Sequence, residues 1–578
     1  MIVLIQTVAM IVPLPVPKFQ EVSGFVTHIM MELSPFSLAL GILHVLIISC
    51  WHTAQVDGVK SAATIDEQIF SASAGRPNFI LIQTDDEARW DMIAMNKTAR
   101  LLRDQGATLN NYMVNTPVCC PSRTEIFSGR YYHNIGAPNG SCMHVNSKQW
   151  VFDETSLFST LQSNGYLTGV FGKVTNDQGG YFCKEMMNAG MTMISSPCDY
   201  NSFYSSQYFV KLANGTKYVE KLNPKLPTTY QTSQLGNRSI SWIKDIVKTD
   251  PGKPFLAYIG PHAPHYPASP APWYQGNNIF ENIKAPRTPN WNVSCPDKHP
   301  AISSNPPLNA EATLYLDHNN QVRLLSLLSV DDIIDAVYST LKDLDLLQNT
   351  YIIFTSDHGY HLGQWRVPSS KLLPYDTDIF VSTFIRGPGI EAGSKVDAVV
   401  GNVDIVPTIL DLAGIAVPKG MDGKSMAGHL LAQHGTGAEL PKTEWREAFL
   451  IEFKSAGRLD NSHTVEWWPG EDFIGVLRKS PAAPCKNCAH WWIDGPSNTY
   501  RALRLINATH NIMYAEFNAD WQFDNQTAVF HEYYDITEDP YQMKNTYSKI
   551  SSSLQMSLHE QLHTYAMCAG GQENGNCP

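Results

Sequence analysis

The sequence has few charges and no runs of Lys and Arg. Only 17% of its 578 residues are charged, and 42 Lys and Arg are set against 54 Asp and Glu, a formal net charge of -12. No cluster of Lys and Arg interrupts that acidic balance. Nucleic acid is thereby excluded as the expected partner, and any anionic ligand has to be held by a local pocket, not by the overall field. No internal repeat, heptad pattern or glycine period runs through the chain, so solenoid, coiled-coil and collagen-like architectures are set aside. What remains is a globular composition, 43% hydrophobic, long enough for one large α/β domain plus a smaller one.

Residues 1–75 read as a leader. Leu38 to Ser49 form an apolar core followed by Cys50, Trp51, His52, Thr53 and Ala54. That length suits the hydrophobic region of a signal peptide better than a membrane span, and a signal anchor is the competing reading. Met30 or Met31 would make a conventional start. Glycosylation sequons at Asn96, Asn139, Asn214, Asn237, Asn292, Asn507 and Asn525 agree with a secretory route. The 11 cysteines then imply disulfides. Cys568 with Cys577, and Cys183 with Cys198, bracket short loops. Cys485-x-x-Cys488 lacks a second ligand pair and is read as disulfide chemistry before zinc.

After the leader, Asn78–Gln83 is a continuous apolar run closing on Thr84-Asp85-Asp86, the pattern of a strand buried on both faces. Leu167–Phe171, Phe255–Ile259 and Thr350–Thr355 are further strands. Leu157–Asn164 and Leu324–Leu346 have helical spacing. Strands alternating with helices indicate an α/β sheet. Residues 261–310, rich in Pro, Asn and Trp, read as a long surface or lid segment. Near residue 435 a linker divides a catalytic domain, 76–435, from a smaller α+β subdomain, 436–578. Runs at Ala448–Glu452, Tyr500–Leu505 and His510–Glu516 give that subdomain an antiparallel sheet.

Polar clusters close the strands: Asp85-Asp86, Lys173, His262 with His265, and Asp357-His358. A further one is Cys119-Cys120-Pro-Ser-Arg123. Singly, each has an ordinary explanation as a helix cap, a solvated strand end or a tight turn. Together, at the ends of buried runs, they mark the edge where open α/β sheets hold ligands. Neighbouring cysteines rarely bridge each other. Cys119 and Cys120 are therefore either ordinary disulfide partners of other cysteines or include a nucleophile.

Cys119-Cys-Pro-Ser-Arg-Thr-Glu-Ile-Phe-Ser-Gly129 resembles the signature of the sulfatases, with Ser128 where the family has Thr. The likeness runs from Arg76 to the C-terminus. The segments TPVCCPSR, LLSVDD, NTYIIFTSDHGYHLGQ, RGPGI and DIVPTILDLAG are similar to the N-acetylglucosamine-6-sulfatase and extracellular endosulfatase subgroup. The resemblance implies an alkaline-phosphatase-like fold, a large mixed sheet flanked by helices with a smaller C-terminal α+β domain. It also implies that a formylglycine-generating enzyme converts Cys119 to Cα-formylglycine, whose hydrate is the nucleophile. Cys120 is then the variable position.

Carried over residue by residue, the resemblance makes Asp85, Asp86, Cys119, Asp357 and His358 the ligands of one divalent cation, most simply Ca²⁺. His358 stands where many members have Asn. Arg123 would hold the formylglycine hydroxyl, Lys173 and Lys371 would contact sulfate oxygens, and His265 would bind sulfate or protonate the leaving alcohol as a cationic imidazole. Lys173-Val-Thr175 lacks the histidine that many relatives carry there, so Asn176, His262 and His361 are added on the substrate side.

The expected activity is hydrolysis of a sulfate ester on a sugar, in particular the 6-O-sulfate of N-acetylglucosamine in a glycosaminoglycan. The alternatives are a general arylsulfatase, a sulfatase for another polysaccharide, or a phosphate or phosphonate hydrolase of the same fold. An inactive sugar-binding relative is a further alternative. The expected place is the secretory pathway, lysosomal or extracellular, with no stable membrane span in the mature protein.

Overall fold

The computed structural model describes residues 75–136, 154–176, 192–197, 203–431, 445–455, 497–518, 528–570 and 577–578. The leader, the 435 linker, Cys183, Cys198, Cys485, Cys488, Asn139 and Asn525 lie outside them. The strands, in chain order, are β1 (Asn78–Thr84), β2 (Ala107–Met113), β3 (Leu167–Gly172), β4 (Met193–Pro197), β5 (Gln207–Lys211), β6 (Lys217–Lys221), β7 (Phe255–Gly260), β8 (Thr350–Ser356), β9 (His361–Leu362), β10 (Ser369–Ser370), β11 (Phe384–Arg386), β12 (Ser394–Gly401), β13 (Ala448–Phe453), β14 (Tyr500–Ile506), β15 (Asn511–Phe517) and β16 (Phe530–Asp535). The helices used below are α1 (Cys119–Ser128), α2 (Leu157–Ser163), α3 (Gln231–Thr249), α4 (Ala310–Asp343), α5 (Ile405–Leu412) and α6 (Ser552–Ala566).

Ten strands make one sheet in the order β12-β2-β11-β8-β1-β7-β3-β4-β5-β6. The middle, β8-β1-β7-β3-β4, is parallel. β11 runs against both its neighbours, and β5 and β6 are antiparallel, so the sheet is mixed. The unbroken apolar run of β1 follows from its central place. Phe79 and Leu81 pack on one face with Tyr351 and Ile353 of β8 and with α1, α2 and α5. Ile80 and Ile82 pack on the other face with Ile352, Phe354 and the apolar sides of α3 and α4. All four are 0% exposed, and side chains so placed contribute roughly 1.5–3 kcal/mol each.

A four-stranded antiparallel sheet, β13-β14-β15-β16, follows near the C-terminus. Its Phe449, Leu503 and Tyr514 belong to the same apolar core as α1 and α5, and α6 adds Leu558 and Leu562. Two element boundaries move. α4 begins at Ala310, not Leu324, because the Asn309 side chain caps it by accepting from the Ala312 amide at 2.8 Å. The third strand of the small sheet begins at Asn511 and ends at Phe517.

Residues 261–310 are more than a surface segment. Lys298 is buried with its ammonium 3.5 Å from the Tyr375 ring centre and donates to Tyr534 Oη at 2.9 Å. His299 donates its amide to Glu532 on β16 at 2.7 Å. Cys568 and Cys577 are bridged, as their spacing suggested. Of the described sequons, Asn96, Asn214 and Asn237 are exposed. Among the described residues no helix is long and apolar enough to cross a membrane.

Candidate active site

The parallel register builds the site. Thr84 pairs with Ser356, and Gly172 with Gly260, so β1, β3, β7 and β8 end at one edge of the sheet. The residues just beyond those ends are Asp85-Asp86, Lys173, His262 and Asp357-His358. Gly172 has φ +104°, and a side chain there would meet the Gly260 carbonyl, so glycine is what lets the chain pass. The turn also places the Lys173 amide 2.9 Å from the Gly260 carbonyl.

The fifth cluster comes in on α1. Cys119 is its first residue, after the extended Val118, and all ten residues of the helix are buried. The positive end of the helix therefore faces whatever atom position 119 carries. Cys120 is disulfide-bonded and Cys119 is free, which separates the two neighbouring cysteines. Cys119 Sγ lies 3.4 Å from His358 Nε2 and 3.8 Å from Asp86 Oδ1, and Lys371 Nζ donates to it at 3.5 Å.

Three buried carboxylates face three cations. Lys371 donates to Asp86 at 2.6 Å, Lys173 to Asp85 at 2.7 Å, and Arg123 Nε to Asp357 at 2.9 Å. Burial raises the carboxyl pKa of Asp85, but Lys173, with His265 and Arg123, outweighs it and holds the group well below the carboxylate range. Asp86 is likewise lowered, by Lys371. Arg123 does not donate to Cys119. It spans Asp357, Asp85 at 3.5 Å and the Lys173 carbonyl at 2.9 Å, and so fixes the spacing of the acids.

The donors suit a hard divalent cation. The ligand atoms of Asp86, Cys119, Asp357 and His358 lie within 4.8 Å of one another, as do those of Asp85, Asp86, Cys119 and His265. His358 Nδ1 donates to the Gly359 carbonyl at 2.8 Å, which aims Nε2 at Asp86 and Asp357, 3.2 and 3.6 Å away. Metal-binding histidines are oriented by such a backbone bond. Although burial lowers His358, Asp357 and Asp86 raise it to about 9: the acids demand positive charge at that point. Asp85 Oδ1 has no hydrogen bond and keeps a lone pair for a ligand.

The remaining candidates divide. His265 and Lys371 keep 21% and 15% of their side chains exposed, whereas Cys119, Asp85, Asp357 and His358 are at most 3% exposed, so solvent reaches the cluster past those two. His265 Nδ1 donates to the Tyr266 carbonyl at 2.7 Å, and Nε2 is 3.8 Å from Asp86. Burial pushes its pKa below the usual value despite Asp86 and Asp85, which weighs against the cationic ring expected from the sequence. His262 is buried, donates to Asp85 at 3.0 Å and is pushed down to about 4 by burial. It orients Asp85 from below. His361 pairs with Asp378 at 3.0 Å and lies opposite Ser370, beside Lys371. Asn176 is exposed, three residues beyond Lys173.

Two residues escaped the sequence reading. Arg323 on α4 donates to the Asp86 carbonyl at 2.6 Å, to Asp91 at 2.5 Å and to the Pro264 carbonyl at 3.3 Å, joining the Asp85-Asp86 turn to the His265 segment. Asp86 has φ +68°, a conformation such anchoring has to hold. An arginine inside an apolar helical face was the available signal. Tyr258 of β7 donates to the Lys173 carbonyl at 2.7 Å and accepts from Arg123 at 2.8 Å. A hydroxyl in a buried strand needs such partners.

The family model described as Sulfatase matches residues 77–415, and one described as N-sulphoglucosamine sulphohydrolase, C-terminal, matches 367–465. The N-acetylglucosamine-6-sulfatase of Homo sapiens is 32% identical over 519 residues, covering 87% of each chain. The extracellular sulfatase SULF-1 homolog of Drosophila melanogaster is 35% identical over 414 residues, 70% of this chain and 35% of that protein, so the chain spans about a third of that relative. A protein solved in complex with its substrate D-glucosamine-2-N,6-O-disulfate superposes with TM-score 0.62 at 20% identity, over 84% of this chain and 97% of that one. Its likeness is one of fold, the alkaline-phosphatase-like arrangement of a large mixed sheet with a small antiparallel one. A family match over more than half of the chain, with a relative similar along most of its length, shows that this protein is a member of the sulfatase family and an enzyme of sulfate ester hydrolysis.

Proposed function

We propose that the enzyme removes the 6-O-sulfate of N-acetylglucosamine residues in glycosaminoglycans, through a formylglycine made from Cys119 and one bound Ca²⁺. The observation that carries the mechanism is the placement of Cys119. It is a free residue at a helix N-terminus, within 3.8 Å of His358, Lys371 and Asp86, beside a cysteine committed to a disulfide. Support for the sugar comes from the human relative's name and from the 6-O-sulfated substrate of the structural neighbour.

Asp85, Asp86, Asp357 and His358 would hold the cation, and Sγ of Cys119 marks the place of the nucleophilic oxygen. When present, the aldehyde hydrate supplies an oxygen nucleophile and a second hydroxyl, and Ca²⁺ supplies a Lewis acid. The chain's own residues do the rest. Asp85, Asp86 and Asp357 are offset by Arg123, Lys173 and Lys371, so with His358 neutral as a ligand a divalent cation would bring the cluster to a charge of about +2. That local charge draws in an anionic ester although the whole protein carries -12. Lys371, at the open side, meets the sulfate oxygens, and Lys173 stabilises them from the buried side. His265, also at the opening, faces the leaving alcohol with Nε2. Arg123 and Tyr258 keep the acids in place and exclude water from beneath.

The same reading places the protein in the secretory pathway, lysosomal or extracellular, and favours attack at chain ends, because no basic block is present to grip a polyanion along its length. A panel of defined sulfated saccharides tests the substrate. Sulfate release from 6-O-sulfated N-acetylglucosamine at a chain end should exceed release from 2-O-, 4-O- and N-sulfated isomers. Equal turnover of an aryl sulfate and all isomers would leave a general arylsulfatase instead.

A further inference from the structure

A second cluster of ligand-type side chains lies on β15 and α6, elements that contribute nothing to the catalytic cluster. His559 and His563 are one helical turn apart on α6, with ring centres 4.1 Å apart. Both face Glu516 of β15: His559 Nδ1 is 2.7 Å from Oε1, and His563 Nε2 is 3.4 Å from Oε2. The three ligand atoms lie within 4.8 Å of one another. The Glu516 side chain is 2% exposed and is itself held by the Tyr514 hydroxyl, which donates to Oε1 at 2.6 Å. The His563 and His559 side chains are 25% and 51% exposed, so an ion can enter from solvent.

Simple ion pairing accounts poorly for this arrangement. One carboxylate cannot neutralise two imidazolium rings 4.1 Å apart and tilted by 43°, and the like charges would repel. Two neutral imidazoles and one carboxylate sharing a dication satisfy all three groups. The donor set, two nitrogens and one oxygen, is that of a borderline metal such as Zn²⁺, with the exposed side left for water as fourth ligand. The local sequence, His559-Glu-Gln-Leu-His563, has the helical spacing that sets two histidines on one face of a zinc site. The Tyr514 hydrogen bond fixes the carboxylate as outer partners of metal ligands do.

We infer that Glu516, His559 and His563 bind one zinc-type divalent cation that fastens the C-terminal helix α6 to the small sheet. The ion would work with Leu558 and Leu562, which already bury one side of α6, and with the Cys568–Cys577 bridge just beyond it. Its place is a staple for the end of the chain.

The test is zinc content after dialysis of the full-length protein against micromolar Zn²⁺ in saturating Ca²⁺, compared with His559→Ala/His563→Ala and with Glu516→Gln. The wild type should retain one more equivalent of zinc than the double variant. It should also gain thermal stability with Zn²⁺ where the variants do not. Loaded with Co²⁺, it should show a tetrahedral visible absorption that the double variant lacks. Calcium-dependent sulfate release by the double variant reports that it is folded, and single His559→Ala serves if the double variant is not. Equal zinc content in folded wild type and variant, or no retained zinc in the wild type, overturns the inference.

Discussion

The amide of Asp86 donates to the Asp357 carboxylate at 3.0 Å although 271 residues separate them. The parallel pairing of β1 with β8 makes this contact, and Arg123 locks it from beneath. Asp357→Asn keeps the shape but removes the charge. It should lower sulfate release by at least about 100-fold and abolish the thermal stabilisation given by Ca²⁺, since ligand binding and stability are linked. Melting temperatures with and without chelator, measured beside kcat, check this. An unchanged calcium response would rule out the metal role of Asp357.

The two neighbouring cysteines should part company under substitution. Cys119→Ala should abolish turnover without changing the melting temperature much. Cys120→Ala should leave the chemistry and cost about 2–5 kcal/mol, because it breaks a disulfide. After reduction, the tryptic peptide from Asp104 to Arg123 of active protein should carry formylglycine at position 119. Unmodified cysteine in fully active protein would refute the proposed nucleophile.

Much of the fold was legible because β1, β3, β7 and β8 are buried on both faces, which writes unbroken apolar runs into the sequence. The acids, lysine and histidines that close those runs were legible for the same reason. The support behind them was not. Arg123 is a clear signature residue, yet its partners Tyr258 and the Lys173 carbonyl come from strands whose adjacency no local pattern records. Arg323 sits in a helix that reads as ordinary packing, and only tertiary structure brings it to the Asp86 carbonyl. For His265 the sequence shows the neighbouring acids but not the burial that opposes them.

The lowered His265 pKa bears on the expected pH profile. With its pKa lowered by burial, His265 takes up a proton at a lower pH than an ordinary imidazole. His265→Ala should therefore remove part of the acid limb of the kcat/KM profile. Lys371, held well above its ordinary value by Asp86 despite burial, stays charged throughout. Lys371→Met should lower the rate at every pH by roughly 10²–10³-fold and leave the profile's shape alone. A Lys371→Met profile displaced along the pH axis would contradict this division.

Arg323 offers a test of positioning without contact to the reacting atoms. Arg323→Lys keeps the charge near Asp91 but cannot reach the Asp86 and Pro264 carbonyls together. The expected result is weaker Ca²⁺ binding, read by calorimetry, with kcat recovering at saturating Ca²⁺. A loss of kcat that excess Ca²⁺ does not restore would assign Arg323 a different task.

Glu125, on the helix that begins with Cys119, sets a pH dependence of stability. Its Oε2 accepts from Asn402 at 2.7 Å and from the Thr116 amide at 3.3 Å, yet burial outweighs these and raises its pKa to about 8. The folded protein thus keeps this proton up to about pH 8, while the unfolded chain releases it near 4.5. Between those values the folded state binds more protons, so stability is present in full below the unfolded value and is lost as pH rises, by about 1.4 kcal/mol per unit. Glu87, raised to about 8 by burial, acts in the same direction. His133 does too, because Glu452 raises its pKa against burial and the gain is lost as pH climbs through the folded value. His262 and His299, pushed down to about 4 by burial, act oppositely, but only up to about 6.5, where the unfolded imidazoles have lost their protons. From pH 6.5 to 8 the depressed histidines no longer contribute, and Glu125, Glu87, His133 and His358, the last raised to about 9, all act in one direction. The melting temperature should fall across that window, and Glu125→Gln should make the fall shallower by the share of one group while leaving the fold intact. A variant that keeps the wild-type slope would show that Glu125 is already ionised in the native protein.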